Sequence, residues 1–382
     1  MSESKRILLL DCSPFCGGAQ ESIWSLAEAL AGEGIPVMLL CADISHGGLV
    51  ERARQRGIRC RSFTARHWPF SFSGACQYAI DHWQFQEVWE SALDDFQPTL
   101  VHANCLRSLL LLSRRRSADI PVLLHDRDIR CPALLPRILA KRLQKVIAIS
   151  TAVAEKWQGL LAPERIRIIP NGFALSPWNP TETKNGDSSH PFTVLLVADF
   201  VAWKNHALFL ATMHCLTRKL PNVHAVIRGR VRNATEAELR RRIEQQRNQL
   251  GLQDRVEIID HPGSAAEQIA ATDILVSCAE EEPFGRVLVE ALAQGKVVVA
   301  VDGAGPAEIL RGQSVGSLCP PQAEALSAAI LDWHEENKYL KAANAARAVA
   351  EKYSLSAHVT AVKAVYDELT PATKSDNKLN LR

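Results

Sequence analysis

Two kinds of apolar pattern alternate along the chain. Short continuous apolar runs, of which the first is 7–10, are typical of strands that are buried on both faces. Between these runs, apolar residues recur every three or four positions, as Ile23, Leu26, Ala27 and Leu30 do, and this spacing is typical of a helix that packs one face on a sheet. The alternation predicts an α/β fold in which helices cover parallel sheets.

The alternation is interrupted over residues 176–191, where Ser, Pro, Asn and charged residues predominate. Such a segment between two α/β series is typical of an interdomain linker. We therefore predict one Rossmann-like domain over 1–175 and a second over 192–354. A chain of 382 residues is expected to hold two domains, and its hydrophobic fraction of 47% can supply two cores.

Charge and cysteine content narrow the class of protein. The formal net charge is +2, which gives no indication of a nucleic-acid partner. The ten cysteines are scattered without a CxxC pair, which is typical of reduced thiols in a cytosolic protein. Cys12 and Cys16 lack the second pair that a metal site needs, so a place in the core or in a loop is favoured. The N-terminus is polar and its first apolar run is short, so we predict neither a signal peptide nor a membrane span.

The segment 282–290, Glu-Pro-Phe-Gly-Arg-Val-Leu-Val-Glu, carries the strongest indication of function. It follows a strand-like run at 273–277, and apolar residues then recur at helical spacing, so a loop is predicted to open into a helix near Pro283. The amide groups of about 284–287 would then lack intrahelical partners and lie at the positive end of the helix dipole. Such a site attracts a phosphate or a diphosphate.

The two glutamates that bound this segment suit a nucleotide-linked sugar. Glu290 would lie roughly 8 Å further along the helix, close enough to accept hydrogen bonds from both hydroxyls of a ribose. Glu282 would lie before the first turn, nearer the sugar. The alternative is an ordinary capped helix that carries two solvated acids.

From Glu282 to Glu290 the chain resembles the E-x7-E signature of glycosyltransferase family four, the retaining sugar-nucleotide transferases of the GT-B fold. Other segments similar to that family occur in the family's order. They are Gly17-Gly18, Val101-His102, Val122-Leu123-Leu124-His125, Ile168-Ile169-Pro170-Asn171-Gly172, Trp203-Lys204 and Gly305-Pro306-Ala307-Glu308.

The resemblance implies the GT-B architecture, in which two Rossmann-like domains face a central cleft. The N-terminal domain would bind the acceptor, and the C-terminal domain would bind the nucleotide sugar. A closing helix at 355–370 would cross back to the N-terminal domain, and a flexible tail would follow at 371–382.

The resemblance also implies roles for particular side chains. Glu282 would orient the sugar and stabilise developing positive charge, His125 would bind a sugar hydroxyl, and Lys204 would neutralise the departing diphosphate. For His125 an ordinary core histidine remains the alternative, and His102 is better explained as a residue of the core or the cleft lining. No obligatory metal and no cofactor are implied. The residues expected to bind the donor are Gly17, Gly18, Lys204, Arg228, Arg230, Phe284, Gly285, Arg286, Val287 and Glu290.

One position departs from the family pattern. Where the family has an arginine directly after a glycine, this chain has Ala198-Asp199. Because an aspartate cannot bind a phosphate, either Arg228 or Arg230 substitutes for that arginine or donor binding is weakened. Solvated surface arginines are the alternative for both residues. The glycine pair at 17–18 is equally compatible with an ordinary βα turn, and it is not the G-x-G-x-x-G dinucleotide fingerprint, which disfavours a nicotinamide oxidoreductase.

The acceptor is less well indicated. Aromatic residues between 63 and 89 could stack on sugar rings, but a place in the core is favoured. Leu134 and Ile138, interleaved with Arg137 and Lys141, form a basic amphipathic pattern, as does the end of 109–116. Such a face suits an anionic membrane with a lipid-linked acceptor. A helix packed on a sheet, with a solvated basic edge, is the more ordinary interpretation.

The sequence thus predicts a cytosolic glycosyltransferase that moves a hexose from a nucleotide diphosphate sugar, with a UDP-sugar favoured, to a glycan or lipid-linked acceptor. Bacterial surface polysaccharide or lipopolysaccharide synthesis is the expected setting, with peripheral contact to the inner face of the membrane as one possibility. Two alternatives remain: a transferase that acts on a small-molecule acceptor, and a GT-B-shaped nucleotide-sugar-binding protein without turnover.

Overall fold

The computed structural model describes residues 5–15, 17–44, 48–66, 72–112, 119–175, 191–261 and 264–371. The chain divides into two compact units, Met1–Ala174 with Leu355–Arg382, and Leu175–Ser354. The linker predicted at 176–191 lies outside the described residues except for Pro191, and so does the predicted tail at 371–382 except for Pro371.

The first unit is built on a seven-stranded sheet in the order β3-β2-β1-β4-β5-β6-β7. All neighbouring strands are parallel, and Leu9 of β1 pairs with Leu39 of β2 on one side and His102 of β4 on the other. The strands are β1 (Ile7–Asp11), β2 (Val37–Ala42), β3 (Arg59–Phe63), β4 (Leu100–Ala103), β5 (Val122–Asp126), β6 (Lys145–Ala148) and β7 (Ile166–Ile168).

The second unit is built on a six-stranded sheet in the order β10-β9-β8-β11-β12-β13, again with parallel neighbours. In both sheets the strand order therefore runs outward from the first strand and then reverses, which is the doubly wound Rossmann arrangement. The strands are β8 (Phe192–Val197), β9 (Val223–Gly229), β10 (Val256–Asp260), β11 (Ile274–Ser277), β12 (Val297–Val301) and β13 (Gly316–Cys319).

Helices connect the strands, because parallel neighbours need a crossover. The last helix, α15, belongs to the first unit although it follows the second in sequence. The helices are α1 (Gly18–Gly32), α2 (Leu49–Gln55), α3 (Phe72–Phe96), α4 (Leu106–Leu111), α5 (Leu134–Leu139), α6 (Thr151–Glu155), α7 (His206–Thr217), α8 (Ala234–Gln249), α9 (Ala266–Ala271), α10 (Arg286–Ala293), α11 (Ala304–Leu310), α12 (Ala323–His334), α13 (Lys338–Lys341), α14 (Ala343–Glu351) and α15 (Leu355–Leu369).

The sheet of the first unit has an apolar core on each face. Leu8 points into the core that contains Trp89 of α3, whereas Leu9 points into the core that contains Ile23 of α1 and Val362 of α15. Successive residues of a strand point to opposite faces, so the continuous apolar run of β1 serves both cores at once.

The aromatic residues between 63 and 89 do not share one environment. Phe85 and Trp89 are buried, with ring centroids 6.0 Å apart, which confirms the core interpretation for them. Trp83 is 76% exposed. Trp68 and Phe70 lie outside the described residues.

The basic amphipathic segment also divides. Leu139 and Leu143 are buried, as expected of a helix packed on a sheet, but Leu134 and Ile138 are 68% and 62% exposed. Only some of the apolar residues of this segment are therefore in the core. The exposed face of α5 carries apolar side chains as well as basic ones. Residues 113–116, the end of the second basic segment, lie outside the described residues.

Candidate functional site

The predicted donor residues of the second unit meet at one edge of its sheet. In doubly wound sheets, ligands bind beyond the carboxyl ends of the strands, at the point where the strand order reverses. Here that point lies between β8 and β11, which are neighbours in the sheet. Lys204 follows β8 and Glu282 follows β11, so the topology brings together two residues that are far apart in sequence.

Lys204 and Glu282 form an ion pair through Nζ and Oε2. Lys204 closes a short 3-10 turn, Ala202–Lys204, and its ammonium lies 4.0 Å from the centroid of the Trp203 ring. The next residue, Asn205, adopts a left-handed conformation and caps α7 by accepting a hydrogen bond from the amide of Leu208 at 3.3 Å. This cap fixes the backbone beside the lysine, so the pair is held between two well-defined loops.

The helix after Glu282 begins later than the sequence predicts. Pro283 is not in the first turn, because Gly285 caps α10 with φ of 96° and the helix starts at Arg286. A residue in this left-handed conformation interrupts the helical path, and glycine adopts it without a steric penalty. The first helical amides are therefore those of Arg286 and Val287, not the group at about 284–287.

The other residues of the segment have distinct environments. The side chain of Phe284 is buried against Tyr353, with ring centroids 5.6 Å apart, so it is part of the packing. The amide of Gly305 donates to the carbonyl of Glu282 at 2.9 Å, which fastens the loop to the start of α11. Glu290 forms an ion pair with Arg286 at 3.5 Å, and its side chain is 38% exposed. Its carboxylate is thus accessible one turn into the helix.

The two candidate arginines, Arg228 and Arg230, have different hydrogen-bond partners and different degrees of burial. Arg230 donates from Nε and Nη2 to the two carboxylate oxygens of Asp199, at 2.9 and 3.0 Å. Arg228 is buried and donates instead to the carbonyl of Ser264 at 2.8 Å, with its Nη2 also 3.1 Å from Nδ1 of His261. The interpretation as a solvated surface arginine is therefore wrong for Arg228, which is buried, whereas the side chain of Arg230 is 30% exposed in its bidentate pair.

Asp199 is ionised by its surroundings. Burial alone would raise its pKa, but the hydrogen bond and charge of Arg230, with the charges of Arg232 and Lys204, lower that pKa below its ordinary value. The nearest Arg232 nitrogen, Nη1, lies 3.5 Å from the carboxylate. One carboxylate thus organises several cations next to the Lys204–Glu282 pair.

His125 belongs to the first unit, where it lies at the end of β5 and is fully buried. Its ring stacks between those of His102 and His358, at centroid distances of 5.3 and 5.6 Å. Burial, followed by the charge of Arg127, lowers its pKa well below the ordinary value, so the imidazole is neutral. Its Nε2 has no hydrogen-bond partner within the described residues.

His102 is a core residue, as the sequence favours. It is fully buried, and its Nδ1 lies 2.6 Å from the hydroxyl of Tyr366 on α15. Burial, with the charge of Arg127, lowers its pKa to about 3. The two buried histidines are thus neutral side by side, which allows their rings to stack without repulsion.

A buried polar network at the first sheet's own reversal point escaped the sequence analysis. The carboxylate of Asp11, at the end of β1, accepts hydrogen bonds from Gln20 at 3.0 and 3.1 Å and from Asn104. Arg127 donates to Asn104 at 2.9 Å and also to Asn171. The sequence does contain an indication of this network, because polar residues that directly follow apolar strands lie at the edge of the sheet where ligands bind. The glycines at 17–18 lie beside it, with Gly17 as the N-cap of α1.

Comparison with known proteins identifies the class. The family model of the glycosyl transferases group 1 matches residues 180–353, and that of Glycosyltransferase Family 4 matches residues 16–176. Solved structures of GT-B glycosyltransferases share the fold, so both Rossmann-like domains and the GT-B class are confirmed. The chain belongs to glycosyltransferase family four.

Individual relatives are more distant. The phosphatidyl-myo-inositol mannosyltransferase of Mycolicibacterium smegmatis is 27% identical over 375 residues, which cover 93% of this chain and 91% of that protein. A GDP-mannose:cellobiosyl-diphosphopolyprenol alpha-mannosyltransferase of Xanthomonas oryzae is 27% identical over 172 residues, covering 44% of this chain and 43% of that protein. The structure of Anabaena HepE in complex with UDP and glucose has a TM-score of 0.77 at 24% identity and covers 95% of this chain and 99% of that chain.

Proposed function

We propose that this glycosyltransferase moves a hexose from a nucleotide diphosphate sugar to a lipid-linked or glycan acceptor, with retention of the anomeric configuration. The observation that carries the proposal is the pairing of Lys204 with Glu282 beyond the ends of β8 and β11. A cation for the diphosphate and a carboxylate for the sugar are thereby adjacent, beside the first amides of α10.

The chemistry that this arrangement supports is a substitution at the anomeric carbon. The bond from that carbon to the donor phosphate oxygen breaks, and a bond to the acceptor oxygen forms on the same face. The acceptor proton passes to an oxygen of the departing diphosphate. Negative charge grows on the diphosphate, where Lys204 stabilises it, and positive charge grows on the sugar, where Glu282 stabilises it.

The remaining donor contacts follow from the second unit and from the family resemblance. In the proposal, the amides of Arg286 and Val287 bind the diphosphate, and Glu290 accepts hydrogen bonds from the ribose hydroxyls. His125 would bind a hydroxyl of the donor sugar through its neutral imidazole. Lys204 and the helix amides take the electrostatic role that a divalent cation has in other transferases, so the proposed reaction needs no metal and no cofactor.

The acceptor is proposed to be lipid-linked, in surface polysaccharide or lipopolysaccharide synthesis. Two relatives are named for lipid acceptors, the Mycolicibacterium enzyme for phosphatidyl-myo-inositol and the Xanthomonas enzyme for a cellobiosyl-diphosphopolyprenol. Among the described residues, no helix combines the length and apolar character needed to cross a bilayer. We propose peripheral contact of the cytosolic protein with the inner face of the membrane, through α5, where Leu134 and Ile138 are exposed beside Arg137 and Lys141.

The donor site is tested by thermal unfolding in the presence of UDP, GDP and their sugars, since a ligand that binds the folded state raises its stability. The panel decides whether the donor is a UDP-sugar, which the sequence favours, or GDP-mannose, for which the Xanthomonas relative is named. We expect protection by one sugar nucleotide, lost in Lys204→Ala and Glu290→Ala. The control is Lys219→Ala, at an exposed lysine of the same unit.

Turnover separates an enzyme from a binding protein. With the protecting donor, nuclear magnetic resonance of the glycoside product reports its anomeric configuration, and retention is the expected result. Protection without release of the nucleoside diphosphate, across lipid-linked, glycan and small-molecule acceptors, would instead favour the non-catalytic alternative.

A further inference from the structure

Cys12 and Cys105 lie at the same edge of the first sheet. Their strands, β1 and β4, are parallel neighbours in which Leu10 pairs with Ala103, so each cysteine lies two positions beyond the same rung. The amide of Asn104 donates to the carbonyl of Leu10 at 2.9 Å, which continues the backbone pairing beyond that rung. Neighbouring strands are about 4.8 Å apart, and the Cα atoms of a disulfide are roughly 4.4–6.8 Å apart. The register therefore places the two cysteines within the range that a disulfide accepts.

The two thiols lie against each other. Both side chains are on the face of the sheet that packs on α3, with Cys12 in that apolar core and Cys105 packed against it. Their sulfurs are 3.8 Å apart, which is close to van der Waals contact. Because a disulfide bond measures about 2 Å, the sulfurs need to approach by roughly 2 Å more. This is a movement of side chains and not a rearrangement of the sheet.

A single serine contacts both cysteines. Ser108 is fully buried on α4, and its hydroxyl oxygen accepts a hydrogen bond from the amide of Cys12 at 3.2 Å. The same hydroxyl lies 3.2 Å from the sulfur of Cys105. One side chain thus fixes the backbone of the first cysteine and the thiol of the second.

The two cysteines differ in their access to solvent. Cys105 is half-buried, whereas Cys12 is 2% exposed. The hydrogen bond with Cys105, followed by burial, raises the pKa of the Cys12 thiol well above its ordinary value. An oxidant from solvent therefore reaches Cys105 first. Cys12 is then the thiol in contact with the oxidised sulfur, and its fixed proximity offsets its low thiolate fraction.

We propose that Cys12 and Cys105 are an oxidation site that forms a reversible disulfide, with hydrogen peroxide as the oxidant. The Cys105 sulfur attacks one peroxide oxygen, the O–O bond breaks, and Cys105 becomes a sulfenic acid as one water leaves. Cys12 then attacks that sulfur: an S–S bond forms, the S–O bond breaks, and the hydroxyl group leaves as a second water with the proton of Cys12. The two thiols together lose two electrons and two protons, which a dithiol reductant returns.

The bond would join two loops at the reversal point of the first sheet. Cys12 directly follows Asp11, and Cys105 directly follows Asn104, whose side chains are hydrogen-bonded in the buried polar network. Oxidation would therefore link the two loops that carry this part of the network. The inference concerns a covalent state of the chain, so it goes beyond the proposed transfer reaction and does not depend on it.

The test treats the reduced full-length protein with hydrogen peroxide and follows the mass of the intact chain. Formation of the bond removes two hydrogens, about 2 Da, and dithiothreitol is expected to restore them. The bond joins positions 93 apart, so the oxidised chain is expected to migrate faster in a non-reducing denaturing gel. Both changes are expected to be lost in Cys12→Ser and in Cys105→Ser. Cys76→Ser is the matched control, because it removes an exposed cysteine of the same unit, and it is expected to retain both changes.

Trapping of the sulfenic acid with dimedone tests which thiol reacts first. In Cys12→Ser the oxidised Cys105 has lost its partner, and it is expected to take up one dimedone, located by fragmentation of the labelled peptide. In Cys105→Ser, Cys12 is expected to remain unlabelled because it is buried. Labelling of Cys12 but not of Cys105 would overturn the assigned order of reaction.

Two results would overturn the proposal as a whole. One is a wild-type chain that loses no hydrogens under peroxide, and the other is a bond that still forms in Cys105→Ser. A bond between Cys12 and Cys16 is an example of the second result. Cys16→Ser separates the two cases, since it retains the proposed bond and loses the competing one. Urea unfolding of each reduced variant shows whether a lost bond reflects lost structure, and Cys12→Ala replaces Cys12→Ser if the serine destabilises the core.

Discussion

The ammonium of Lys204 and the carboxylate of Glu282 form an ion pair although 78 positions separate them in sequence. In the proposed reaction, the donor diphosphate would compete with the Glu282 carboxylate for the Lys204 ammonium, so donor binding would break this ion pair. In the proposed function, the pair therefore orients both side chains before the donor arrives. Two loops at the reversal point of the sheet hold them there.

The first prediction concerns this pair. Lys204→Ala and Glu282→Gln are each expected to lower kcat by about a hundredfold or more, as the removal of one electrostatic contact to a transition state does. The double variant is expected to be little slower than the slower single variant, because the two groups act together. Steady-state kinetics with the preferred donor provide the measurement. Equal activity of Glu282→Gln and the control Glu324→Gln, at an exposed acid, would contradict the assignment.

The second prediction concerns the start of α10. Gly285→Ala is expected to destabilise the fold by about 1–2 kcal/mol, because φ of 96° is unfavourable for a residue with a Cβ. Urea unfolding of the unliganded protein measures the change. Gly32→Ala is the control, since a Cβ there meets nothing within 4 Å and no positive φ is required. If both substitutions have the same effect, backbone conformation does not govern this cap.

The third prediction concerns pH. Burial is the main reason that the pKa of His102 is lowered to about 3 and that of His206 to about 4, from 6.5. Below pH 6.5 the unfolded chain binds protons that the folded chain does not, so stability falls as pH decreases toward the folded pKa values. In this range the free energy of unfolding falls by about 1.4 kcal/mol per pH unit for each such histidine.

Urea unfolding at pH 7, 6 and 5 measures this slope. His206→Phe is expected to reduce it by one histidine's share, since Phe can fill the space beside Phe200, on which the imidazole stacks at 5.3 Å. An identical slope in wild type and His206→Phe would show that His206 is not neutral in the folded state.

The fourth prediction concerns α5. Co-sedimentation with anionic vesicles is expected to be lost in Ile138→Glu and reduced in Lys141→Glu, because the first removes exposed apolar surface and the second reverses a charge. Arg218→Glu, at an exposed arginine of the second unit, is the control for net charge. If the wild-type protein does not bind anionic vesicles, a small-molecule acceptor becomes the better hypothesis.

Much of the fold could be predicted from local sequence. The runs at β1 and β8 are almost entirely apolar because both faces of a parallel sheet are buried, and this pattern is visible without any structure. The start of α10 was predicted too early, since Pro283 suits a first turn but only the backbone shows that Gly285 is left-handed. The basic amphipathic pattern of α5 is also visible in the local sequence. The exposure of Ile138 is not, because it depends on which other residues pack around that helix.

By itself, the sequence determined the α/β class, the two Rossmann-like domains and the family, because apolar periodicity and short motifs are properties of neighbouring residues. The tertiary structure decided which charges meet. The pairing of Arg230 with Asp199, and the turning of Arg228 into the interior, depend on strand order. Contacts of this kind join residues that are distant in sequence, and the geometry that selects one arginine over its neighbour exists only once the sheet has formed.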